Sequence, residues 1–330
     1  MNERGVILIV GCDCDPIGDP VGPAARRRQG RKQSWQQTVD TLKALIVMLQ
    51  RALPREEKLK ITFLVRSDDY MKDAFGEYAY CARVSHDFLD DLRSKGHEIG
   101  WHPHLWRWSG RWVAELDDSD FIRNCLLAGY DCLCDYFRPT SVRTGWDFMS
   151  NEVMQILELL GLFTDFSALP GVQFRELSQG FGCDWTGCPT RFYFPSRQDY
   201  RSPALESAIS VLEMPMTLTR TPFPVRWIRP VVDRYRRIRR LAGKYEPLYI
   251  AKHPVFNKHA FQRIIGESRA QNTQYILTSF HPCDVASFGL FSMQNFKDNL
   301  RYLANLCSRE GVRLVTMTAT EAAEHFLKEH

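Results

Sequence analysis

The sequence predicts an α/β protein whose parallel strand-helix units close into an irregular (β/α)7-8 barrel, and three observations carry that expectation. Short apolar runs of strand length alternate with helix-period segments almost to the end of the 330 residues, which is the pattern of βα units. Seven or eight such strands in a chain of this length favour a barrel over an open doubly wound sheet. Histidines, acids and arginines gather just after the apolar runs, and in a parallel barrel those strand ends open onto one face. No G-x-G-x-x-G or G-x-x-x-x-G-K-[ST] follows the first strand, so nucleotide-binding folds lack their motif.

Taken in order, residues 6–10 (VILIV) read as a buried strand that leads through Gly11 and Cys12 to Asp13-Cys14-Asp15. An amphipathic helix follows over about 34–52, and 60–65 forms the second strand. Residues 85–95 read as a helix capped by Ser85, and 99–104 as the third strand. A helix near 119–136 precedes the segment 141–146, then come a helix at 150–160 and a strand at 163–166. The stretch 170–203 is aromatic, cysteine-rich and too long for a plain connector. The rhythm resumes with a strand at 210–218, an arginine-rich helix near 230–242, a strand at 248–252, a helix at 258–269 and a strand at 275–280. A helix at 294–307, a strand at 313–317 and a helix at 319–328 close the chain.

Composition sets the outer bounds. With 44% hydrophobic and 25% charged residues, the chain is globular and long enough to bury a substantial core. It shows no internal repeat, low-complexity tract or linker, so a single domain over 1–330 is expected. The apolar run at 6–10 is too short for a signal core or a membrane span, which points to the cytoplasm. The ten cysteines lack C-x-x-C spacing, and most are expected as reduced thiols, with a bridge between Cys183 and Cys188 left open.

The segment Gly96-His97-Glu98-Ile99-Gly100-Trp101-His102-Pro103-His104 places two imidazoles one residue apart at the end of a strand. Residues i and i+2 of a strand face one way. The same alternation applies to Asp13 and Asp15. A single histidine is more often a hydrogen-bonded core residue than a ligand, and an acid after a strand commonly caps a turn or helix. Two such pairs on strand ends that open to one face point instead to a metal site with an open position for water. Arg143 with Trp146, Glu213-Met214-Pro215 and His281-Pro282 stand at further strand ends.

At these residues the chain resembles the polysaccharide deacetylase (NodB-homology, carbohydrate esterase 4-like) family. The resemblance runs from about residue 6 to 320. It rests on Asp13-Cys14-Asp15, G-H-E-I-G-W-H, R-T-G-W at 143–146, D-W-T-G-C-P-T-R-F-Y-F-P-S at 184–196, L-E-M-P at 212–215 and S-F-H-P at 279–282. It implies a metal-dependent hydrolase that removes an N-acyl group, most often N-acetyl, from a sugar or glycoconjugate.

Residue by residue, the resemblance implies Asp13 as general base, Asp15 and His102 as metal ligands, and His281 as the acid that protonates the leaving amine. Arg143 would pair with the base and Trp146 would form a wall for a sugar ring, while Asp184 and Trp185 either line the substrate groove or structure their loop. The family's third ligand usually stands four residues after the first histidine. Here that position is Trp106, and His104 is the replacement that the H-x-H spacing offers. The metal would lower the pKa of a bound water and polarise the amide. One carboxylate and two imidazoles suit zinc, with nickel, cobalt, iron and manganese as alternatives. His253, also before proline, competes with His281, while His97 and Glu98 are expected to serve structure.

Two basic clusters stand apart from the fold: Arg26, Arg27, Arg28, Arg31 and Lys32, and a second containing Arg229, Arg234, Arg236, Arg237 and Arg239. Such runs usually form solvated faces. The functional alternative is an anionic substrate, a phosphorylated, nucleotide-linked or lipid-linked sugar, with peripheral contact to an anionic membrane surface. Nucleic acid is not an expected partner, because no nucleic-acid module accompanies the arginines. A barrel that has lost its metal and only binds carbohydrate is the alternative from another class. A two-carboxylate glycosidase would leave His102, His104 and His281 without a role.

Overall fold

The computed structural model describes residues 5–17, 28–54, 57–204, 206–221, 230, 233–234, 238–241, 245–270, 273–286 and 290–329. Eight strands form the central sheet: β1 (Gly5–Cys14), β2 (Thr62–Arg66), β3 (Glu98–His102), β4 (Ser141–Val142), β5 (Thr164–Asp165), β6 (Leu212–Glu213), β7 (Gln274–Phe280) and β8 (Arg313–Met317). Branched aliphatic side chains dominate β1, and every residue of it after Gly5 is buried. Burial on both faces is the state of a parallel strand covered by helices.

The strands lie in the order β6-β5-β4-β3-β2-β1-β7, all parallel. Strand β7 holds one edge of β1 from Val6 to Cys12. The other edge is divided, with β8 pairing Gly5 to Ile9 and β2 pairing Gly11 to Cys14. The outer strands β6 and β7 share no ladder among the described residues. The chain leaving β6 closes the curl instead, since Thr217 donates from its N–H to the Leu277 carbonyl at 3.0 Å and its Oγ1 accepts from the Leu277 N–H at 2.9 Å. The expected irregular barrel is thus the observed architecture.

Helices cover the sheet between successive strands, and several start where the sequence supplies a cap. Asp118 accepts from the Phe121 N–H to start Ser119–Cys134, and Ser150 accepts from the Val153 N–H to start Asn151–Leu159. Ser85 does not act as the expected cap. Its side chain makes no capping bond and accepts instead from Trp35 Nε1 at 2.7 Å, tying the helix His86–Ser94 to Arg28–Gln50.

Other differences follow from pairing partners that local periodicity cannot register. The expected strand at 210–218 is split: Leu212–Glu213 joins the sheet, while Leu218–Arg220 pairs antiparallel with Tyr245–Pro247. That second pair takes the place of the expected strand at 248–252. Within the expected helix at 230–242, Ile238–Leu241 is a strand antiparallel to Gln173–Glu176, which in turn pairs with Gly182–Asp184 inside the long connector. Two short helices, Asp69–Phe75 and Tyr80–Val84, and a hairpin of Trp106–Trp108 with Trp112–Ala114 complete the insertions. All ten cysteines are free thiols, so Cys183 and Cys188 form no bridge. No helix among the described residues is long and apolar enough to cross a membrane.

Candidate metal centre

The strand ends deliver the chemistry. Asp13 is the penultimate residue of β1 and Asp15 stands just beyond it. His102 ends β3, Arg143 follows β4 directly, and His281 follows β7. Ligand atoms of Asp15, His102 and His104 all lie within 4.8 Å of one another, the only such group of three among the described residues. The Nε2 atoms of the two histidines are 3.1 Å apart, and His104 Nε2 is 3.9 Å from Asp15 Oδ1.

His102 Nδ1 lies 2.6 Å from the Arg143 carbonyl oxygen. A carbonyl only accepts, so Nδ1 carries the proton and Nε2 presents its lone pair. Two buried Nε2 atoms facing each other at this distance need a proton or a cation between them. Burial, the Arg66 guanidinium and the neighbouring His102 all push His104 well below its ordinary pKa, so the ring is held neutral and can offer Nε2 to a cation when its proton sits on Nδ1. The set of one carboxylate and two imidazoles fits a divalent transition-metal ion.

Arg66 and Asp68 are functional neighbours that sequence reading missed. Arg66 Nη1 donates to Asp15 Oδ1 at 3.1 Å and its Nε to Asp68 Oδ2 at 2.7 Å. Asp68 also accepts from the Met71 N–H, capping Asp69–Phe75, and from the His104 N–H at 3.3 Å. Burial alone would raise the Asp15 carboxyl, but Arg66 and the histidines outweigh it and hold Asp15 well below the usual carboxylate range. The available signal was Arg66-Ser67-Asp68-Asp69, a charged run directly behind a buried strand.

Asp13 is buried and pairs through Oδ2 with Arg143 Nη1. The same guanidinium donates to Ser279 Oγ at 2.8 Å and to Asp147 Oδ1 at 2.5 Å. Asp13 Oδ1 has no hydrogen-bond partner among the described residues. His281 Nε2 stands 3.4 Å from Asp13 Oδ2, and its Nδ1 lies 3.3 Å from Asp284 Oδ2. Desolvation lowers the His281 pKa, yet the hydrogen bond to Asp284 and the charges of Asp13 and Asp284 prevail and raise it to about 9. His253 is not brought here: it is exposed, and Nδ1 accepts from the Val255 N–H at the start of Pro254–Phe256.

Trp146 and Asp147 both adopt left-handed backbone, with φ of 54° and 58°. Such strain persists only where the surroundings over-determine it. Asp147 is held by Arg143 and by Trp185, whose Nε1 donates to the Asp147 carbonyl at 2.7 Å. Trp146 is half-buried, edge-on to His104 with centroids 4.5 Å apart and stacked on Phe181 at 4.7 Å. Trp106 is buried and contributes no ligand, its ring parallel to that of His104 at 6.5 Å and edge-on to Trp146 at 4.2 Å.

Three further expectations are corrected or relocated. Trp185 is fully buried and cannot face a substrate; it supports the strained turn. Asp184 stands away from the ligand group, accepting from Gln173, Arg201 and Thr186, and it lines a separate cavity of about 670 Å³ with Phe148 and Tyr200. Glu213 is fully buried rather than at the mouth. It faces Asp165 across the β5-β6 register, and burial raises both carboxyls, Asp165 to about 6. His97 and Glu98 serve structure as expected: His97 Nδ1 accepts from the Ile61 N–H, and Glu98 receives Thr62, Thr140 and Thr320. In the basic clusters, Arg26, Arg27, Arg229, Arg236 and Arg237 lie outside the described residues, as do the side chains of Arg28, Arg31, Lys32 and Arg239.

The fold is a (β/α) barrel of the type seen in solved polysaccharide deacetylases. Two solved structures carry the comparison. One is a candidate polysaccharide deacetylase from Mycobacterium smegmatis, matched over 100% of this chain and 92% of that one, with a TM-score of 0.51 and 14% identity. The other is a candidate glycoside hydrolase/deacetylase from Parabacteroides distasonis, matched over 100% and 72%, with a TM-score of 0.61 and 13% identity. At such identities the likeness is one of fold. No protein-family model matches the sequence. No curated protein matches it either.

Proposed function

We propose that this chain is a metal-dependent hydrolase that removes an N-acyl group, N-acetyl in the first instance, from a sugar or glycoconjugate. The observation that carries the reading is the convergence of Asp15, His102 and His104 beside a buried Asp13–Arg143 pair and His281. When bound by those three residues, a divalent cation such as zinc supplies Lewis acidity, lowering the pKa of water and polarising the amide carbonyl.

The chain's own groups divide the proton work. Asp13, paired with Arg143 through Oδ2, takes the proton of the attacking water at Oδ1, the oxygen that has no partner among the described residues. His281 is an imidazolium at neutral pH and gives its Nε2 proton to the leaving nitrogen, since expulsion of an amide anion is prohibitive. Arg143 also fixes the His102 tautomer through its carbonyl, while Arg66 holds Asp15 in place. Trp146 borders the ligand group and offers a wall to a sugar ring. The arginine-rich segments support a phosphate-bearing form of that substrate, for which inorganic phosphate would compete.

The test is metal analysis of the purified protein together with acetate release from N-acetylated sugars. Bound metal, with release that Asp13→Asn abolishes without loss of the metal, is the expected result. A protein that holds no metal and releases no acetate would overturn the reading in favour of a carbohydrate-binding barrel.

A further inference from the structure

A two-residue period aims His102 and His104 alike only while both belong to a strand. Strand β3 ends at His102, and Arg66 opposite His102 is the last rung of its ladder with β2. His104 therefore lies two residues past that pairing, where alternation no longer directs a side chain. Its ring lacks the usual anchor as well. A metal-bound imidazole is ordinarily fixed through its second nitrogen, as the Arg143 carbonyl fixes His102. His104 Nδ1 is buried with no hydrogen-bond partner among the described residues.

A hold on this residue comes from the end of β2. Asp68, two residues past Arg66, keeps extended backbone with φ of −161° and ψ of 175°, and its Oδ2 accepts the His104 N–H at 3.3 Å. The side chain thus takes the place of the carbonyl that a further rung would have offered. Asp68 is fully buried, so water does not compete for the bond. The same Oδ2 accepts from Arg66 Nε at 2.7 Å, and Arg66 Nη1 donates to Asp15 Oδ1 at 3.1 Å. His104 Nε2 closes the circuit, 3.9 Å from that same Asp15 oxygen. Two candidate ligands from distant parts of the chain are tied together through one Arg-Ser-Asp stretch. On the other side, Gly145 donates to the Pro103 carbonyl at 2.7 Å, and Trp146 stands edge-on to the His104 ring.

We propose that Asp68, steadied by Arg66, is the positioning residue that makes His104 a metal ligand: it replaces the missing strand pairing and sets His104 against Asp15. The inference rests on the metal-centre reading above and says how its third ligand is held. Asp68 acts through the His104 main chain rather than at the metal. The competing holder is the packing of Trp146 and Gly145, which would place the imidazole whether or not Asp68 carried its carboxylate.

The experiment measures the zinc affinity of the full-length protein by chelator competition and the visible absorption of its cobalt(II) form. Asp68→Asn is compared in the unmodified chain and in His104→Ala. Asparagine keeps an oxygen for the Met71 N–H, so the helix cap survives, while its amide turns donors toward His104. Zinc affinity is expected to fall about ten- to hundredfold in the unmodified chain and to change little where His104 is already alanine. The cobalt(II) spectrum of Asp68→Asn should move toward that of His104→Ala, a shift that a purely structural role would not produce. Should Asp68→Asn fail to fold, Arg66→Met combined with Asp68→Asn leaves no stranded guanidinium and carries the same comparison. Zinc affinity that is unchanged, or lost equally in both backgrounds, assigns the placing of His104 to Trp146 and Gly145; it overturns the proposal and leaves the metal centre standing. A cobalt(II) spectrum that Asp68→Asn does not move has the same meaning. An unmodified protein that binds neither zinc nor cobalt(II) overturns the metal centre and the proposal together.

Discussion

His102 and Arg143 are joined through the arginine's main chain: His102 Nδ1 donates to the Arg143 carbonyl at 2.6 Å, while the guanidinium of the same residue holds Asp13. One residue just beyond β4 therefore sets the tautomer of a candidate ligand and pairs with the candidate base. Loss of its side chain separates the two tasks, because the carbonyl remains.

Arg143→Met is expected to destabilise the protein by about 3–5 kcal/mol, since it strands the buried carboxylate of Asp13. Adding Asp13→Asn should recover part of that loss in chemical denaturation, although neither variant turns over substrate. Metal content should survive in both, because the carbonyl of residue 143 still orients His102.

His104→Ala should weaken metal binding beyond the about 10–100-fold that loss of an outer hydrogen-bond partner costs. Competition with a chromophoric chelator measures this directly. Unchanged affinity would remove His104 from the ligand set.

Gly145 packs its backbone against the His104 ring, held by its N–H donating to the Pro103 carbonyl at 2.7 Å. A Cβ at that position would overlap His104 Nδ1, Cγ and Cδ2. Gly145→Ala is therefore expected to turn the imidazole away and lower metal affinity by about tenfold or more, with an unaltered far-ultraviolet circular dichroism spectrum.

The pH profile tests the candidate acid. The hydrogen bond that His281 donates to Asp284 and the carboxylate of Asp13 favour the charged imidazole, so activity that needs the His281 proton should fall as pH rises through about 9. Asp284→Asn removes the largest of the raising influences and should move that alkaline limb to lower pH. A limb that stays in place assigns the acid to another group.

Asp165 and Glu213 predict a stability effect with the opposite slope from that of a salt-bridged acid. Burial raises the folded-state pKa of Asp165 to about 6, so its contribution is fully present below its ordinary value and fades as pH climbs through 6. Asp165→Asn should therefore raise the melting temperature relative to the unmodified protein by about 2–4 °C at pH 8 and not at pH 4.

Much of this was legible in the sequence because the strand ends carry residues whose chemistry is conspicuous. Asp13, Asp15, His102, His104, Arg143 and His281 all stand at or just beyond a parallel strand, and a two-residue period was enough to pair them. Arg66, Asp68 and Asp147 escaped notice since an arginine or aspartate after a strand ordinarily reads as a solvated turn. Trp185 was open between a groove wall and a loop support, and its burial with the bond to the Asp147 carbonyl decides for the support. The strand Ile238–Leu241 depends on an edge offered by Gln173–Glu176, some sixty residues earlier, which no local window contains.

The double edge of β1 has a consequence for the order in which the molecule opens. With β7 along one side and β8 followed by β2 along the other, this strand cannot detach without breaking three ladders. Amide hydrogens near Asp13 should exchange only through global unfolding, whereas those of the Trp106–Trp108 hairpin, paired only with Trp112–Ala114, should exchange through local opening. The acids that would touch metal and water are thus anchored in the part of the molecule expected to exchange slowest, while the tryptophan hairpin lies in a part expected to open by itself.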